Sequence, residues 1–142
     1  AIRETYEEAG LIIGERGSAT IRSRSPQWAD FLKHGINPRL DGLHLIARAI
    51  TPPYRNRRFD ARFFMVDAEH IQGDIHERPE GSGELLDLHW IKLAEARFIE
   101  QLPHITRTVL NALEQRLQAG AGFATPGPFV YQRYGKSVVG DI

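Results

Sequence analysis

The sequence predicts an α/β (α+β) fold in which helices cover a mixed β-sheet. Segments with apolar residues at helical spacing alternate along the chain with short apolar runs that are typical of strands. The chain of 142 residues is also long enough to bury a hydrophobic core without disulfides, and it contains no cysteine. We therefore expect a single domain over residues 1–142, with residues 123–142 as a C-terminal extension.

The composition excludes several classes of protein. The 18 Lys and Arg residues balance 18 Asp and Glu residues, and zero net charge argues against general nucleic-acid binding. Apolar residues make up 42% and charged residues 25%, which is ordinary for a folded globular protein. No stretch approaches the ~18 consecutive apolar residues that a membrane helix needs. The first residues lack the basic-then-apolar pattern of a signal peptide, so we expect a cytoplasmic protein.

The first half of the chain predicts two short helices. The first covers residues 2–9, and Gly10 suits the left-handed conformation that ends a helix. The apolar run 11–13 follows as a short strand. A second helix is predicted after Ser25, which is a favourable N-cap residue, and Gly35 is expected to end it.

The second half of the chain predicts strands and one long helix. Residues 43–50, 59–66 and 85–93 have the composition of strands. A helix is predicted to begin near Pro103 and to pack on the sheet. Its apolar stripe consists of Ile105, Val109, Ala112, Leu113 and Leu117.

The first helix carries an unusual concentration of acid. Glu4 lies three and four residues before Glu7 and Glu8, so the three carboxylates share one region of the helix surface. They repel one another, and they lie near the C-terminal end of the helix, where the macrodipole disfavours anions. A divalent cation would reverse both penalties, and oxygen ligands suit Mg²⁺ or Mn²⁺. A solvated acidic face is the alternative interpretation, because charged runs on helices usually face water.

The order of residues in this helix favours the metal site. Arg-Glu-x-x-Glu-Glu-x-Gly followed by an aliphatic residue resembles the second half of the Nudix box, G-x5-E-x7-R-E-U-x-E-E-x-G-U, where U is a bulky aliphatic residue. The fixed positions of that half are filled by Arg3, Glu4, Glu7, Glu8, Gly10 and Leu11. Thr5 departs from the pattern by filling an aliphatic position with a β-branched polar residue. On this motif the chain resembles the Nudix hydrolase family.

The resemblance implies a Nudix-type α/β/α sandwich around a mixed sheet. The first half of the box would lie before Ala1, so we expect the domain to be incomplete at its N-terminus. The implied activity is a Mg²⁺-dependent (or Mn²⁺-dependent) pyrophosphatase that cleaves the diphosphate of a nucleoside diphosphate linked to another group. The expected partner is thus a small nucleotide-diphosphate substrate. We expect no membrane association and no general nucleic-acid binding, and a homodimer remains open.

The resemblance also implies roles for individual residues. Glu4 and Glu8 are expected to be metal ligands, and Glu7 a further ligand or a base that acts through water. Arg3 is expected to orient these carboxylates, so Arg3, Glu4 and Glu7 form the catalytic set. Members of the family often supply one more carboxylate from a later loop or strand edge, and Glu84 is the first candidate here, followed by Glu80 and Glu77.

Several arginines form the predicted substrate-binding group, because a guanidinium recognises phosphate through paired hydrogen bonds. Residues 50–64 loosely resemble a bacterial Nudix subgroup and, more distantly, the coenzyme A diphosphatases. The candidates are Arg48, Arg55, Arg58 and Arg62. An ordinary salt bridge at a strand edge between Asp60 and Arg58 or Arg62 is the alternative.

Three functional hypotheses follow. The first is a Nudix-type diphosphate hydrolase. The second is a non-catalytic Nudix-type module that binds a nucleotide or a protein partner and has a regulatory role. Such domains generally lose one or more box glutamates, whereas this chain keeps three, so replacement of the first glutamate of the box would favour this hypothesis. The third is an unrelated acidic helix in an interaction domain, which predicts no stabilisation by Mg²⁺.

Overall fold

The computed structural model describes residues 1–17, 21–73, 85, 88–120 and 125–142. These residues form a mixed α and β structure, which confirms the predicted α+β class. The chain divides into two compact units. Unit 1 consists of Ala1–Leu43 and Val66–Trp90, and unit 2 consists of His44–Met65 and Ile91–Ile142.

The elements follow one another along the chain in a simple order. They are α1 (Ile2–Ala9), β1 (Ile12–Ile13), β2 (Glu15–Arg16), α2 (Pro26–Leu32), β3 (Ile36–Asn37), β4 (His44–Ile50), β5 (Asp60–Met65), a 3₁₀ helix (Ala68–His70), β6 (Ile71–Gln72), α3 (Leu93–Ala96), α4 (His104–Gln118), β7 (Pro128–Arg133) and β8 (Lys136–Asp141). Among the helices of the described residues, none is both long enough and apolar enough to cross a bilayer.

Unit 1 is built from short elements around one apolar cluster. β1 pairs antiparallel with β6, and β2 pairs antiparallel with β3. Its buried residues come from both helices and from two of these strands, and they are Ile2, Ile13, Phe31 and Ile36. Partly buried side chains, including Tyr6 and Trp28, surround that cluster. Such burial supplies the main favourable free energy for elements as short as these.

Helix α1 begins and ends as its sequence predicts. Ile2 is buried, and Tyr6, one helical turn later, packs against the same core, so this face of α1 is the internal one. Gly10 has a φ of 70° and ψ of 3°, and its N–H donates to the carbonyl of Tyr6 over 2.9 Å. This left-handed residue ends the helix at low steric cost because glycine has no Cβ.

Helix α2 confirms the predicted start but not the expected cap hydrogen bond. Ser25 occupies the N-cap position and Pro26 the first helical position, yet the Ser25 hydroxyl donates to Gln27 Oε1 over 2.7 Å instead of capping the backbone. Phe31 is completely buried. Its ring makes edge contacts with Tyr6 and Trp28 at centroid distances of 5.4 and 5.5 Å, which joins α2 to α1.

Unit 2 is a four-stranded sheet with helix α4 packed on one face. The strand order is β5-β4-β7-β8, in which β4 and β7 are parallel and the other pairs are antiparallel. Residues of α4 and of β4 and β5 share the core of this unit, namely Ile46, Ala47, Val109, Phe63, Met65, Ile105 and Leu113. Strand β7 connects the C-terminal hairpin to the central strand, so residues 128–141 form half of the sheet.

Two local predictions differ from the structure. Of the residues predicted as strand 85–93, those that are described lie outside any strand, and α3 begins at Leu93. Trp90 is exposed there, and none of the strands among the described residues pairs with residues 88–92, so this segment gains no ladder hydrogen bonds from them. In α4, Leu117 is exposed, whereas the Arg116 side chain is 6% exposed and donates to the carbonyls of Leu45 and Thr125.

Candidate functional site

The candidate site is the outer surface of α1, which we call the α1 carboxylate face (Glu4, Glu7 and Glu8). Since the side of α1 that carries Ile2 and Tyr6 packs into the core of unit 1, the remaining positions project outward. Glu4 and Glu8 are exposed, and Glu7 is half-buried. The fold of unit 1 therefore leaves carboxylates accessible on one helix, as the motif requires.

Arg3 holds two of these carboxylates. Its Nη1 donates to Glu7 Oε2 in a close ion pair, and its Nη2 lies 3.4 Å from Glu4 Oε1. Charge-assisted contacts of this kind fix the direction of a carboxylate, which is the role that the motif predicts for Arg3.

Glu8 is in a different situation from its neighbours. It is exposed, and within the described ranges it has no hydrogen-bond or ion-pair partner. It follows Glu4 by four residues, and the last turn of α1 contains no basic residue to offset the helix dipole. Glu8 therefore remains the uncompensated negative charge of the α1 carboxylate face.

The carboxylate groups of this face are chemically suited to bind a hard divalent cation. Carboxylate oxygens are the ligands that Mg²⁺ and Mn²⁺ prefer, and Glu4 and Glu8 have solvent-facing oxygens. They do not complete a coordination shell, because the described part of the chain contains no group of three or more Asp, Glu or His side chains arranged around one point. The further predicted ligand, Glu84, and the candidates after it, Glu80 and Glu77, lie outside the described residues.

The predicted substrate-binding arginines belong to unit 2, and two of them are already paired. Arg48 donates through Nε and Nη2 to both oxygens of Asp60, over 2.8 and 2.7 Å, and its guanidinium lies 4.8 Å from the centre of the Phe129 ring. Arg62 Nη2 is 3.6 Å from Asp60. The hydrogen bonds from Arg48 lower the pKa of Asp60 and raise that of Arg48.

The other two arginines are less constrained. Arg58 donates through Nε to the carbonyl of Thr51 over 3.4 Å, and the Arg55 guanidinium lies 5.7 Å from the centre of the Tyr54 ring. Both are exposed, and no carboxylate among the residues seen in the structure pairs with either of them. The salt-bridge alternative thus holds for Arg62 and not for Arg58, and the closer partner of Asp60 is Arg48, for which no salt bridge was predicted. Arg55 and Arg58 keep guanidinium groups available for an anion.

One polar cluster of unit 1 has no counterpart in the sequence-based predictions. The Tyr6 hydroxyl donates to Asp30 over 3.0 Å and lies 2.9 Å from His34 Nε2, and Lys33 donates to the other Asp30 oxygen over 2.8 Å. Burial first, and then Asp30, raises the pKa of Tyr6, while the hydrogen bond from Lys33 lowers that of Asp30. Tyr6 fills a variable position of the motif, so only the contact between α1 and α2 reveals it.

Comparison with known proteins adds no relative: no family model matches the chain, and neither a curated protein nor a solved structure is significantly similar to it.

Proposed function

We propose that this protein is a Nudix-type hydrolase with a Nudix-type fold, which uses Mg²⁺ or Mn²⁺ to cleave the diphosphate of a nucleotide-like substrate. The observation that carries the proposal is the second half of the box on α1, which matches the pattern at every fixed position and departs from it only at Thr5. Glu4 and Glu8 are exposed, Glu7 is half-buried, and Gly10 ends the helix in the left-handed conformation. A solvated acidic face needs neither this residue order nor an arginine that orients two of the carboxylates.

In this proposal the residues of α1 have different roles. Glu4 and Glu8 bind the cation, which when bound neutralises diphosphate oxygens and lowers the pKa of the attacking water. Arg3 keeps Glu7 and Glu4 in fixed directions. Glu7, held by Arg3, is placed to accept a proton from water or to act as a further ligand.

A non-catalytic Nudix-type nucleotide-binding module is the second candidate. Glu7 is engaged by Arg3, and the described ranges contain no group of three metal-binding side chains. A module of this kind would bind a nucleotide without releasing product.

Hydrolysis by the gene product that contains these 142 residues tests the proposal. The substrates are coenzyme A, ADP-ribose and nucleoside triphosphates, each with Mg²⁺ or Mn²⁺, and the products are separated by chromatography. We expect metal-dependent cleavage of at least one substrate. We expect Glu8→Gln to lower kcat/KM by about 100-fold or more, because a ligand of the catalytic cation is lost.

Glu69→Gln is the matched control, because Glu69 is an exposed glutamate of the same unit on the 3₁₀ helix. It should keep full activity. Equal activity of Glu8→Gln and Glu69→Gln would remove Glu8 from the metal site. Nucleotide binding without cleavage in any metal would favour the second candidate, and the absence of both would refute a Nudix function.

A further inference from the structure

Strand β8 forms one edge of the sheet in unit 2. The strand order is β5-β4-β7-β8, and none of the strands that the structure describes pairs with the outer side of β8. Residues 138–140 in its middle are uncharged, whereas β5, the opposite edge, carries Asp60 and Arg62. Charged side chains on an edge strand discourage pairing with another strand, so β8 is the more open of the two edges.

The hairpin of β7 and β8 determines which backbone groups point away from the sheet. The N–H of Ile142 donates to the carbonyl of Gly127 over 3.0 Å, so the backbone of Ile142 faces β7. Alternate residues of a strand face the same neighbour, and the register of β7 against β8 has no shift from one end to the other. The N–H and C=O groups of Ser137, Val139 and Asp141 therefore point outward, where another strand can reach them.

The same three residues carry exposed side chains on the α4 side of the sheet. Ser137 pairs with Gln132 of β7 and lines a hollow together with Ile105 of α4. Side chains alternate between the faces of a strand, so Val139 and Asp141 lie on this side as well. Val139 is 64% exposed. A strand placed beside β8 would remove its apolar surface from water, which favours association.

This edge is complementary to itself in the antiparallel direction. When two copies of β8 are centred on Val139, the outward backbone groups of Val139 meet those of the partner's Val139. Those of Ser137 meet the backbone groups of the partner's Asp141 at both ends. Each of these three pairs exchanges two hydrogen bonds. Centring on a neighbouring residue, Val138 or Gly140, would leave two such pairs within β8.

The polar side chains fit the same register. Directly opposed residues of an antiparallel pair lie on one face with their Cβ atoms about 5 Å apart. The Ser137 hydroxyl can therefore donate to the carboxylate of the partner's Asp141, and like charges are never directly opposed. The 18 basic and 18 acidic residues of the chain also leave no net charge that would oppose self-association.

We propose that two copies of this chain associate through their β8 strands, antiparallel and centred on Val139, which joins their two sheets into one. Each copy uses the same residues, so the contact closes as a two-fold symmetric dimer. Both α4 helices lie on the same side of the joined sheet, and the two Val139 side chains meet there. This interface goes beyond the hydrolase proposed for α1 and contains no residue of the α1 carboxylate face.

Sedimentation velocity over a series of protein concentrations in EDTA measures the association. We expect a monomer–dimer equilibrium. Ser137→Lys places an ammonium group opposite the partner's Asp141, whereas Ser137→Asp places a like charge there. We expect the dimer of Ser137→Lys to be about tenfold tighter than that of Ser137→Asp, because each substitution acts at both ends of the interface. Gln118→Lys, at an exposed position of α4, is the control for an added charge and should associate like the unmodified protein.

A disulfide tests the register of the two strands. The Cα atoms of a hydrogen-bonded antiparallel pair are about 5.5 Å apart, a distance that a disulfide can span. The sequence contains no other cysteine, so Val139→Cys should form a covalent dimer with oxidised glutathione. Ser137→Cys is the matched control on the same edge, because its two thiols would be separated by four strand positions, about 13 Å. We expect at least about tenfold slower cross-linking in this control.

Four results would overturn the proposal. One is a protein that stays monomeric up to about 1 mM, which would leave the β8 edge to a different chain. Another is open-ended association beyond the dimer, as expected if β8 of one copy paired with β5 of the next. The third is equal association of Ser137→Lys and Ser137→Asp when circular dichroism shows that both are folded. The fourth is equal cross-linking of Val139→Cys and Ser137→Cys. None of these results involves α1, so the proposed hydrolase would remain to be tested by its own assay.

Discussion

Helix α1 of unit 1 and strands β4 and β5 of unit 2 both carry clustered charges, but the clusters differ in how the charges are balanced. On the strands, Arg48 and Arg62 face Asp60, and the Arg48 contact uses both carboxylate oxygens. On the helix, Arg3 contacts Glu7 and Glu4, and Glu8 has no partner within the described ranges.

This difference distinguishes charges that are balanced within the fold from a charge that is not. Cross-strand pairing satisfies Asp60 from within the sheet, so the Arg48–Asp60 pair needs no ligand. Glu4 lies in the first turn of α1, where the helix dipole favours an anion, so the penalty expected there for all three glutamates does not apply to it. Glu8 lies in the last turn, one turn from Glu4 and without a partner among the described residues, and it lowers the stability of unit 1 unless a cation binds. Charges that disfavour folding are most informative about function, because packing alone does not explain them.

The largest expected effect concerns the packing that keeps the α1 carboxylate face outward. Phe31→Ala removes the fully buried ring that contacts Tyr6 of α1, and we expect a loss of about 3–5 kcal/mol in the free energy of unfolding. Urea denaturation followed by circular dichroism measures this loss. Phe98→Ala, at a ring that is 73% exposed, is the control and should change stability little. Similar losses in the two variants would contradict the assigned core.

Removal of one carboxylate from each charge cluster tests the comparison directly. We expect smaller changes in the free energy of unfolding, with opposite signs in the two clusters. Without divalent cations, Glu8→Gln should raise the stability by a few tenths of a kcal/mol, because it removes one like-charge contact and one unfavourable dipole interaction. Asp60→Asn should lower the stability, because it leaves Arg48 without its carboxylate. Thermal unfolding of both variants in EDTA measures the signs.

Added Mg²⁺ should change the order of the Tm values of those variants. Millimolar Mg²⁺ should raise the Tm of the unmodified protein and of Asp60→Asn, and have little effect on Glu8→Gln. If Glu8→Gln is destabilising in EDTA, Glu8 has a structural partner and the comparison fails. Equal responses to Mg²⁺ in all three proteins would separate the α1 carboxylate face from metal binding.

The smallest expected effect on stability concerns Asp41 of unit 1, a carboxylate that is already paired. Hydrogen bonds from Arg39 hold the pKa of Asp41 at about 2. Because the pKa is lower in the folded state, the pair stabilises the protein above the ordinary Asp pKa of about 3.9, and this stabilisation is lost as the pH falls towards 2. Asp41→Asn should therefore lose less stability than the unmodified protein between about pH 4 and 2, as measured by urea midpoints. If the urea midpoints of the two proteins fall in parallel as the pH is lowered, the stabilising ion pair is ruled out.

Local signals in the sequence predicted the elements that are punctuated by special residues. Gly10 ended α1, Ser25 and Pro26 began α2, and Pro103 preceded α4. Strands β4 and β5 followed their apolar patterns to within a residue or so. Each of these features is determined by residues that are neighbours in the chain, so it can be predicted from the sequence alone.

Features that depend on distant pairing were not predictable in this way. Strand β6 has two residues, and it forms only because β1 lies beside it. The burial of Arg116 depends on the carbonyls of Leu45 and Thr125, and the position of Gln132 depends on the sheet order. For the site, helical spacing predicted that Glu4, Glu7 and Glu8 share one region of α1, whereas the pairing of Arg48 with Asp60 required the register of β4 against β5.

The parallel pairing of β4 with β7 has a consequence for biosynthesis. Arg48 lies opposite Phe129, so the middle of this sheet joins an early part of the polypeptide to a late one. A nascent chain on the ribosome must keep β4 and β5 as a hairpin with an open edge until residues 128–133 emerge, and open strand edges attract other chains. Chaperone binding during translation, followed by late sheet closure, is the expected order of events for unit 2.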